Sequence, residues 1–329
     1  MITLQTFEFE PRSAHAQSRL MPTAPSDFHR SVLLAESVEA LQPVEGRLFV
    51  DGTLGGGGHA EALLHAGARV IGFDRDAQAV AYATRRLAWF GERFTPVQAS
   101  FSEAANALAR LGIDRIDGAL LDLGVSSHQL DSPERGFSFM REGPLDMRMD
   151  RRDGATAAEL VNTAPEETLE DIFRRFGEER AARRMARAIA IERRTKPLRT
   201  TQDLVRVLAG VLPRRGKIHP ATRAFQALRI AVNDELGALE RGLAELAGLL
   251  QSGGRFAVIT FHSLEDRIVK DFFSERSREW LDRPEWPAPR ANEARIFRRI
   301  TRRPITPSDR ECRENSRARS AKLRVVERL

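Results

Sequence analysis

The chain has one cysteine, Cys312, one tyrosine, Tyr82, and only four lysines among its 52 basic residues. A single cysteine makes no internal disulfide and builds no cysteine-based zinc or iron–sulfur site. No apolar run approaches the roughly 18–20 residues of a membrane helix, so no transmembrane span is expected. The first twenty residues carry acidic side chains and lack an apolar stretch, which excludes a secretory leader. A cytoplasmic protein is the expectation that remains.

What is present is ordinary globular composition: 329 residues, 42% hydrophobic and 30% charged, long enough for about two domains. The net charge is only +6, but it is unevenly placed. Residues 295–329 hold twelve basic against four acidic residues, and residues 172–199 hold ten against three. Two basic segments in a nearly balanced chain point to an anionic partner, nucleic acid first.

Residues 1–27 show no sustained period and read as a flexible tail. Strand and helix patterns then alternate. Apolar runs at 47–51, 69–74, 94–99 and 116–122 are separated by helix-like segments at 59–65, 76–89 and 103–110, the rhythm of a parallel sheet. From 137 to 217 no apolar strand run occurs, only helical segments such as 157–162 and 166–194, so this stretch reads as an inserted helical domain. A helix over 220–250 returns the chain to a buried strand at 255–261. Alternating, arginine-rich strands at 296–305 and 323–329 suggest an antiparallel edge.

The sharpest local signal is Asp51-Gly-Thr-Leu-Gly-Gly-Gly-Gly-His59, between the first strand and the first helix. Gly55-x-Gly57-x-x-Ala60 matches a dinucleotide fingerprint, and Asp74 closes the second strand about 20 residues on, where a ribose would be held. Glycines let a ligand approach the backbone, and an acid accepts two ribose hydroxyls. Such a cradle suits NAD or S-adenosylmethionine. The lone tyrosine, lying in a helix, speaks against a Lys–Tyr hydride-transfer site. Asp51, Asp74 and Asp122 at three strand ends, with Phe101 after a fourth, favour S-adenosylmethionine at the carboxyl edge of the sheet.

Several ordered segments carry a family resemblance. They are His29-Arg-Ser-Val-Leu-Leu34, the glycine segment, Asp122-Leu-Gly-Val-Ser-Ser-His-Gln-Leu130, Arg135-Gly-Phe-Ser-Phe139, Pro144-Leu-Asp-Met-Arg-Met-Asp150, Thr260-Phe-His-Ser-Leu-Glu-Asp266 and Asn315-Ser-Arg-Ala-Arg-Ser-Ala-Lys-Leu-Arg324. Together they resemble the bacterial ribosomal RNA small subunit methyltransferase H family over residues 28–329. Ser31 and His128 stand where that family usually has proline.

The resemblance implies methylation of the exocyclic N4 amine of a cytidine in the decoding region of 16S rRNA, with S-adenosylmethionine as cofactor. It implies that Gly57, Gly58 and His59 touch the methionine portion, Asp74 the ribose and Phe101 the adenine, with Asp122 and Gln129 completing the site. No metal is expected. The fold implied is α/β: a Rossmann-like class I methyltransferase sheet, mostly parallel with an antiparallel C-terminal edge. It spans residues 28–136 and 218–329, with the inserted helical domain at 137–217 on the RNA side. The partner is 16S rRNA in the small subunit, and a homodimer stays open. A non-catalytic RNA-binding or ribosome-assembly factor and an NAD-dependent oxidoreductase are the rival readings.

An amine acceptor agrees with the composition. Carbon-5 methylation of a pyrimidine needs a cysteine nucleophile, and Cys312 lies in a basic segment away from the strand ends. Ribose methylation commonly uses a lysine set, and no lysine follows the first or fourth strand. The motif (Asp/Asn)-Pro-Pro-(Phe/Tyr) of many amine methyltransferases is replaced here by Asp122-Leu-Gly-Val125. The catalytic residue therefore stays unassigned, with Asp146 and His262 as candidates.

Overall fold

Branched and aromatic residues in short runs, each bounded by glycine or aspartate, form the strands. The computed structural model describes residues 31–212, 219–282 and 285–329; the expected tail lies outside them. Helix α1 (Leu34–Leu41) precedes β1 (Leu48–Asp51), and then α2 (Gly58–His65), β2 (Arg69–Asp74), α3 (Ala77–Leu87), β3 (Phe94–Gln98), α4 (Ala104–Arg110) and β4 (Ile116–Asp122) alternate. A short α5 (Ser127–Asp131) leads to α6 (Ala157–Thr163), α7 (Glu166–Arg175), α8 (Ala182–Glu192), α9 (Thr201–Ala209) and α10 (Ala221–Asn233). Helix α11 (Glu235–Leu249) returns the chain to β5 (Leu250–Thr260) and α12 (Ser263–Glu275). A ribbon of β6 (Trp280–Leu281) and β7 (Arg290–Ala291), then β8 (Phe297–Arg299), α13 (Asp309–Glu314) and β9 (Lys322–Arg328) complete it.

The main sheet runs β3-β2-β1-β4-β5-β9-β8. β1 to β5 are mutually parallel, and β9 pairs antiparallel with both β5 and β8. The antiparallel end foreseen from the sequence is therefore present, with one refinement. The reversed strand β9 is next to last, and the outermost strand β8 points with the parallel set. Two expected helices are each divided. The 166–194 segment breaks between α7 and α8, where Glu178 takes φ +47°, and the 220–250 segment breaks at Asp234, also at φ +47°. Both are left-handed positions that an α-helix does not continue through.

Apolar side chains pack on both faces of the sheet, with Phe73, Leu121 and Phe256 on one side and Leu63, Leu87 and Ala257 on the other. The helices after β4 surround a core of their own, including Phe137, Leu145, Met147, Phe173, Met185, Ile189 and Leu204. That core continues into α10 through Phe225 and Leu228, whereas the expected boundary at residue 217 lies outside the described residues.

One guanidinium joins the sheet to this helical layer. Arg135 is 1% exposed; its Nη1 donates to Asp76 Oδ2 at 2.7 Å and to Gln78 Oε1 at 3.1 Å. Its Nη2 donates to the carbonyls of Arg148 and Met149, both at 3.1 Å. Asp76 also caps α3 by accepting the Gln78 amide at 3.0 Å. Asn233, ending α10, reaches the same loop: its Oδ1 accepts the Met149 amide and its Nδ2 donates to Met147 O, each at 2.8 Å.

Breaking a buried pair from one side leaves a desolvated charge. Arg135→Ala is therefore expected to cost about 3–5 kcal/mol of stability, read as a lower midpoint in urea; an unchanged midpoint would refute this role.

Candidate active site

Parallel register brings the strand ends together. Asp51 stands beside Gly72 of β2 and Leu120 of β4, Asp74 beside Gln98 of β3, and Asp122 beside Ile259 of β5. The glycine segment crosses this edge and is pinned by its neighbours. Asp51 Oδ1 accepts the Thr53 amide at 3.1 Å, and Asp74 Oδ2 accepts the Gly55 amide at 2.9 Å. The Asp122 amide donates to Thr53 Oγ1 at 2.6 Å. Gly57 sits at the N-cap of α2 with φ +79°, a conformation that glycine adopts without the cost other residues incur. At Gly58 a Cβ would fall 2.2 Å from Ser31 Oγ, so a side chain here would displace the serine hydroxyl that precedes α1.

Above the turn lies a cavity of about 310 Å³. Six of the seven expected cofactor residues line it: Gly58, His59, Asp74, Phe101, Asp122 and Gln129. Gly57 does not; its Cα faces Leu87 and Ala83 of α3, and its contribution is the turn itself. Gln129 is engaged on both sides, its Nε2 donating to Asp76 Oδ2 at 2.9 Å and its Oε1 accepting the Ser126 amide at 3.0 Å. It thus ties α5 to the start of α3 as well as facing the cavity. His59 is 5% exposed, with Nδ1 3.6 Å from Asp122 Oδ2.

Further walls are Gly55, the first glycine of the fingerprint, and Gly56 beside it. The others have no local signature in the sequence. Leu239, Arg229 and Glu235 come from α10 and α11, whose helical pattern marks no functional position. Glu265 lies inside the Thr260–Asp266 segment, where its neighbour His262 is the more conspicuous titratable group. Asp146 and His262, the two sequence candidates for proton acceptance, do not line the cavity. Asp146 accepts from Arg148 Nε at 2.8 Å and faces Arg151. His262 caps α12, its Nδ1 accepting the Glu265 amide at 3.4 Å and its Nε2 lying 3.1 Å from Glu265 Oε1.

Electrostatics at this edge are unfavourable without a ligand. Burial pushes the Asp51 carboxyl up to about 7, aided by Asp74 and opposed by the Thr53 amide. Burial likewise raises Asp74 to about 6 against the Asp76 and Gly55 amides. Asp122 lies well above the usual carboxylate range through burial first, then the charges of Asp51 and Glu265. Glu235, His262 and Glu265 bring ligand-type atoms within 4.8 Å of one another, but Arg229 already holds Glu235 through two bonds of 2.9 and 3.0 Å.

The basic segments divide. Arg183, Arg184 and Arg187 are exposed on α8, and the nearby acids turn elsewhere, Glu178 toward Arg267 and Glu179 toward Arg223. In the C-terminal segment Lys322 and Arg324 bind Asp266, and Arg317 binds Asp131. Trp280 is exposed, and the Arg290 guanidinium lies 4.9 Å from the Trp286 ring centre. Among the described residues no helix is long and apolar enough to cross a membrane.

The strand order, the glycine turn and the acids at successive strand ends define a class I, S-adenosylmethionine-dependent methyltransferase. The MraW methylase family matches residues 26–329, and the chain belongs to that family. It is 53% identical over 310 residues to the ribosomal RNA small subunit methyltransferase H of Geobacter sp. (strain M21), covering 92% of this chain and 99% of that protein. The protein of the same name from Carboxydothermus hydrogenoformans is 48% identical over 305 residues, covering 92% and 98%. A solved rRNA methylase from Streptococcus thermophilus covers 91% of this chain and 98% of its own at 11% identity and TM-score 0.42.

Because burial raises the Asp51 pKa from 3.8 to about 7 on folding, the native state loses stability as the pH rises from about 4 to about 7, and the loss is constant above that. Asp51→Asn should therefore gain stability relative to the parent between pH 5 and 7.5, by on the order of 2–3 kcal/mol, with no further gain up to pH 8.5. A difference in melting temperature that does not change with pH would contradict this assignment.

Proposed function

We propose that this protein transfers a methyl group from S-adenosylmethionine to the exocyclic N4 amine of a cytidine in the decoding region of 16S rRNA. The observation that carries the cofactor is the set of buried strand-end carboxyls, with Asp74 and Asp122 among the cavity walls. A ligand with a cationic ammonium and sulfonium favours their ionised form, whereas the pyrophosphate of a dinucleotide opposes it. This favours a methyl donor over NAD. The names of the relatives support rRNA as the acceptor.

The residues fit that cofactor. Asp74 would hold the ribose hydroxyls, and Phe101, packed against Gly242 of α11, would flank the adenine. Gly58 and His59 would meet the methionine portion, with Gly57 shaping the turn beneath and Asp122 and Gln129 closing the wall. When bound, the sulfonium supplies an electrophilic methyl group, so the protein needs only to align the amine and accept its proton. Cys312, on α13, is not among the cavity walls, which disfavours covalent carbon-5 chemistry. None of the described lysines lines the cavity either, which disfavours a lysine-based ribose methylation.

The helical layer of 137–217, with the exposed arginines of α8, would face the RNA. A small-subunit substrate places the reaction in the cytoplasm.

Incubation with S-adenosylmethionine and small subunits lacking their native methylation should yield N4-methylcytidine by mass spectrometry of nucleosides. Only 5-methylcytidine or a ribose-methylated product would reject the acceptor, and cofactor binding without transfer would favour an assembly factor. Asp74→Asn should raise the cofactor Kd about 10–100-fold by calorimetry, as expected for hydrogen bonds to a charged group. Parent affinity should also weaken as the pH falls through about 6, where Asp74 gains a proton; pH-independent binding between 5 and 8 would contradict the ribose placement.

A further inference from the structure

The cavity that contains the glycine turn is also lined by Met149, Arg229, Glu235 and Glu265, which come from the loop before α6 and from α10, α11 and α12. Glu265 is 3% exposed. Its Oε2 accepts the amides of Phe261 at 2.8 Å and His262 at 3.3 Å. Arg229 uses Nε and Nη2 on Glu235, so Nη1 is the donor that this pair does not use.

We propose that Glu265 receives the exocyclic amine of the target base and takes its proton on methyl transfer, with Arg229 as the neighbouring donor. This assignment rests on the function proposed above.

Comparison of the available bases supports it. Asp51 and Asp122 are pushed toward the protonated form by burial, so neither is a ready acceptor at neutral pH. Glu235 is paired on both oxygens with the full cation of the Arg229 guanidinium, whereas Glu265 Oε1 meets the His262 ring at Nε2, and His262 is itself engaged in the cap of α12. Asp146 lies outside the cavity. Glu265 differs from these: burial opposes its charge, yet the His262 ring, the Phe261 amide and Arg229 together hold it below the usual glutamate range. The charged and titratable groups facing it are thus His262 on its own helix cap, Arg229 on α10, Glu235 on α11 and Asp122 on β4.

The chemistry balances without a further reactant. The amine lone pair forms the nitrogen–carbon bond as the carbon–sulfur bond breaks, and the electron pair leaves on sulfur. The nitrogen, now positive, gives its proton to the Glu265 carboxylate, which returns it to water. The same pair of groups distinguishes the two pyrimidines. Cytosine offers an N–H donor to the carboxylate and ring acceptors to the guanidinium, whereas uracil would set a carbonyl oxygen against the carboxylate.

Three measurements test the assignment. In the subunit assay Glu265→Gln should lower kcat about 10²–10⁴-fold, abolish the acid limb of the pH–kcat profile, and leave cofactor Kd within about threefold by calorimetry. Glu265 also caps α12, so a second variant leaves that cap in place: Arg229→Gln removes the guanidinium alone. It should move the acid limb to higher pH, since Glu265 loses a cation and faces the unneutralised charge of Glu235; a merely structural role would leave the limb in place. With S-adenosylhomocysteine bound, the parent should prefer cytidine to uridine by NMR titration, and Glu265→Gln should lose about tenfold of that preference. An active parent whose Glu265→Gln variant keeps its kcat and pH profile overturns the assignment alone. A parent that makes no N4-methylcytidine overturns the proposed function, and this assignment with it.

Discussion

The buried pair of Arg135 and Asp76 joins the start of α3 to the segment that runs from α5 to Met149, more than fifty residues further along the chain. Asp76 stands two residues beyond the end of β2 and starts α3; Gln129 brings α5 to the same carboxylate, and the guanidinium continues to the carbonyls of residues 148 and 149. Two charges withdrawn from water are tolerated only when their geometry satisfies them. Here that requirement fixes the loop after β4 against the start of α3. The cavity takes its shape from this joint, because Gln129 and Met149 are both walls of it. Asn233 adds the end of α10, and Arg229, one turn earlier on the same helix, is thereby set toward the strand ends.

The second governing feature is charge. A class of site that needs acids at several strand ends must bury them close to one another, and the unliganded protein bears that cost. Asp51, Asp74 and Asp122 are all displaced upward by burial, whereas Asp203 and Asp266, which have cationic partners in the scaffold, are displaced downward. Local rules of stability are broken at the cavity and obeyed elsewhere, the pattern expected where function rather than folding selects the residue.

Much of the sheet was legible because parallel strands buried on both faces are nearly continuous apolar runs. β2 and β4 match their expected limits, 69–74 and 116–122. The helical stretch was legible as helix but not in its breaks. The marks at these breaks are weak: Gly177 before Glu178 and the Asn233-Asp234 pair. Such residue types also occur inside longer helices, although aspartate and asparagine tolerate the left-handed region better than most. The order of the last strands was hidden for a similar reason. An alternating strand pattern reports a half-buried ribbon but not which neighbour it takes, so β9 between β5 and β8 follows from tertiary pairing.

What the sequence determined by itself is the cofactor half of the site. Its glycines, strand-end acids and Phe101 lie within or directly after consecutive βα units, so short-range order along the chain already implies their convergence at one edge. The acceptor half was decided by tertiary structure. Met149, Arg229, Glu235 and Glu265 come from separate elements up to 116 residues apart in number, and each reads locally as an ordinary loop or helix residue. Only the folding of the helical layer back onto the sheet, through Arg135 and Asn233, sets them around one cavity. The environment given by that packing favours the charged form of Glu265, while burial drives Asp51 and Asp122 toward neutrality.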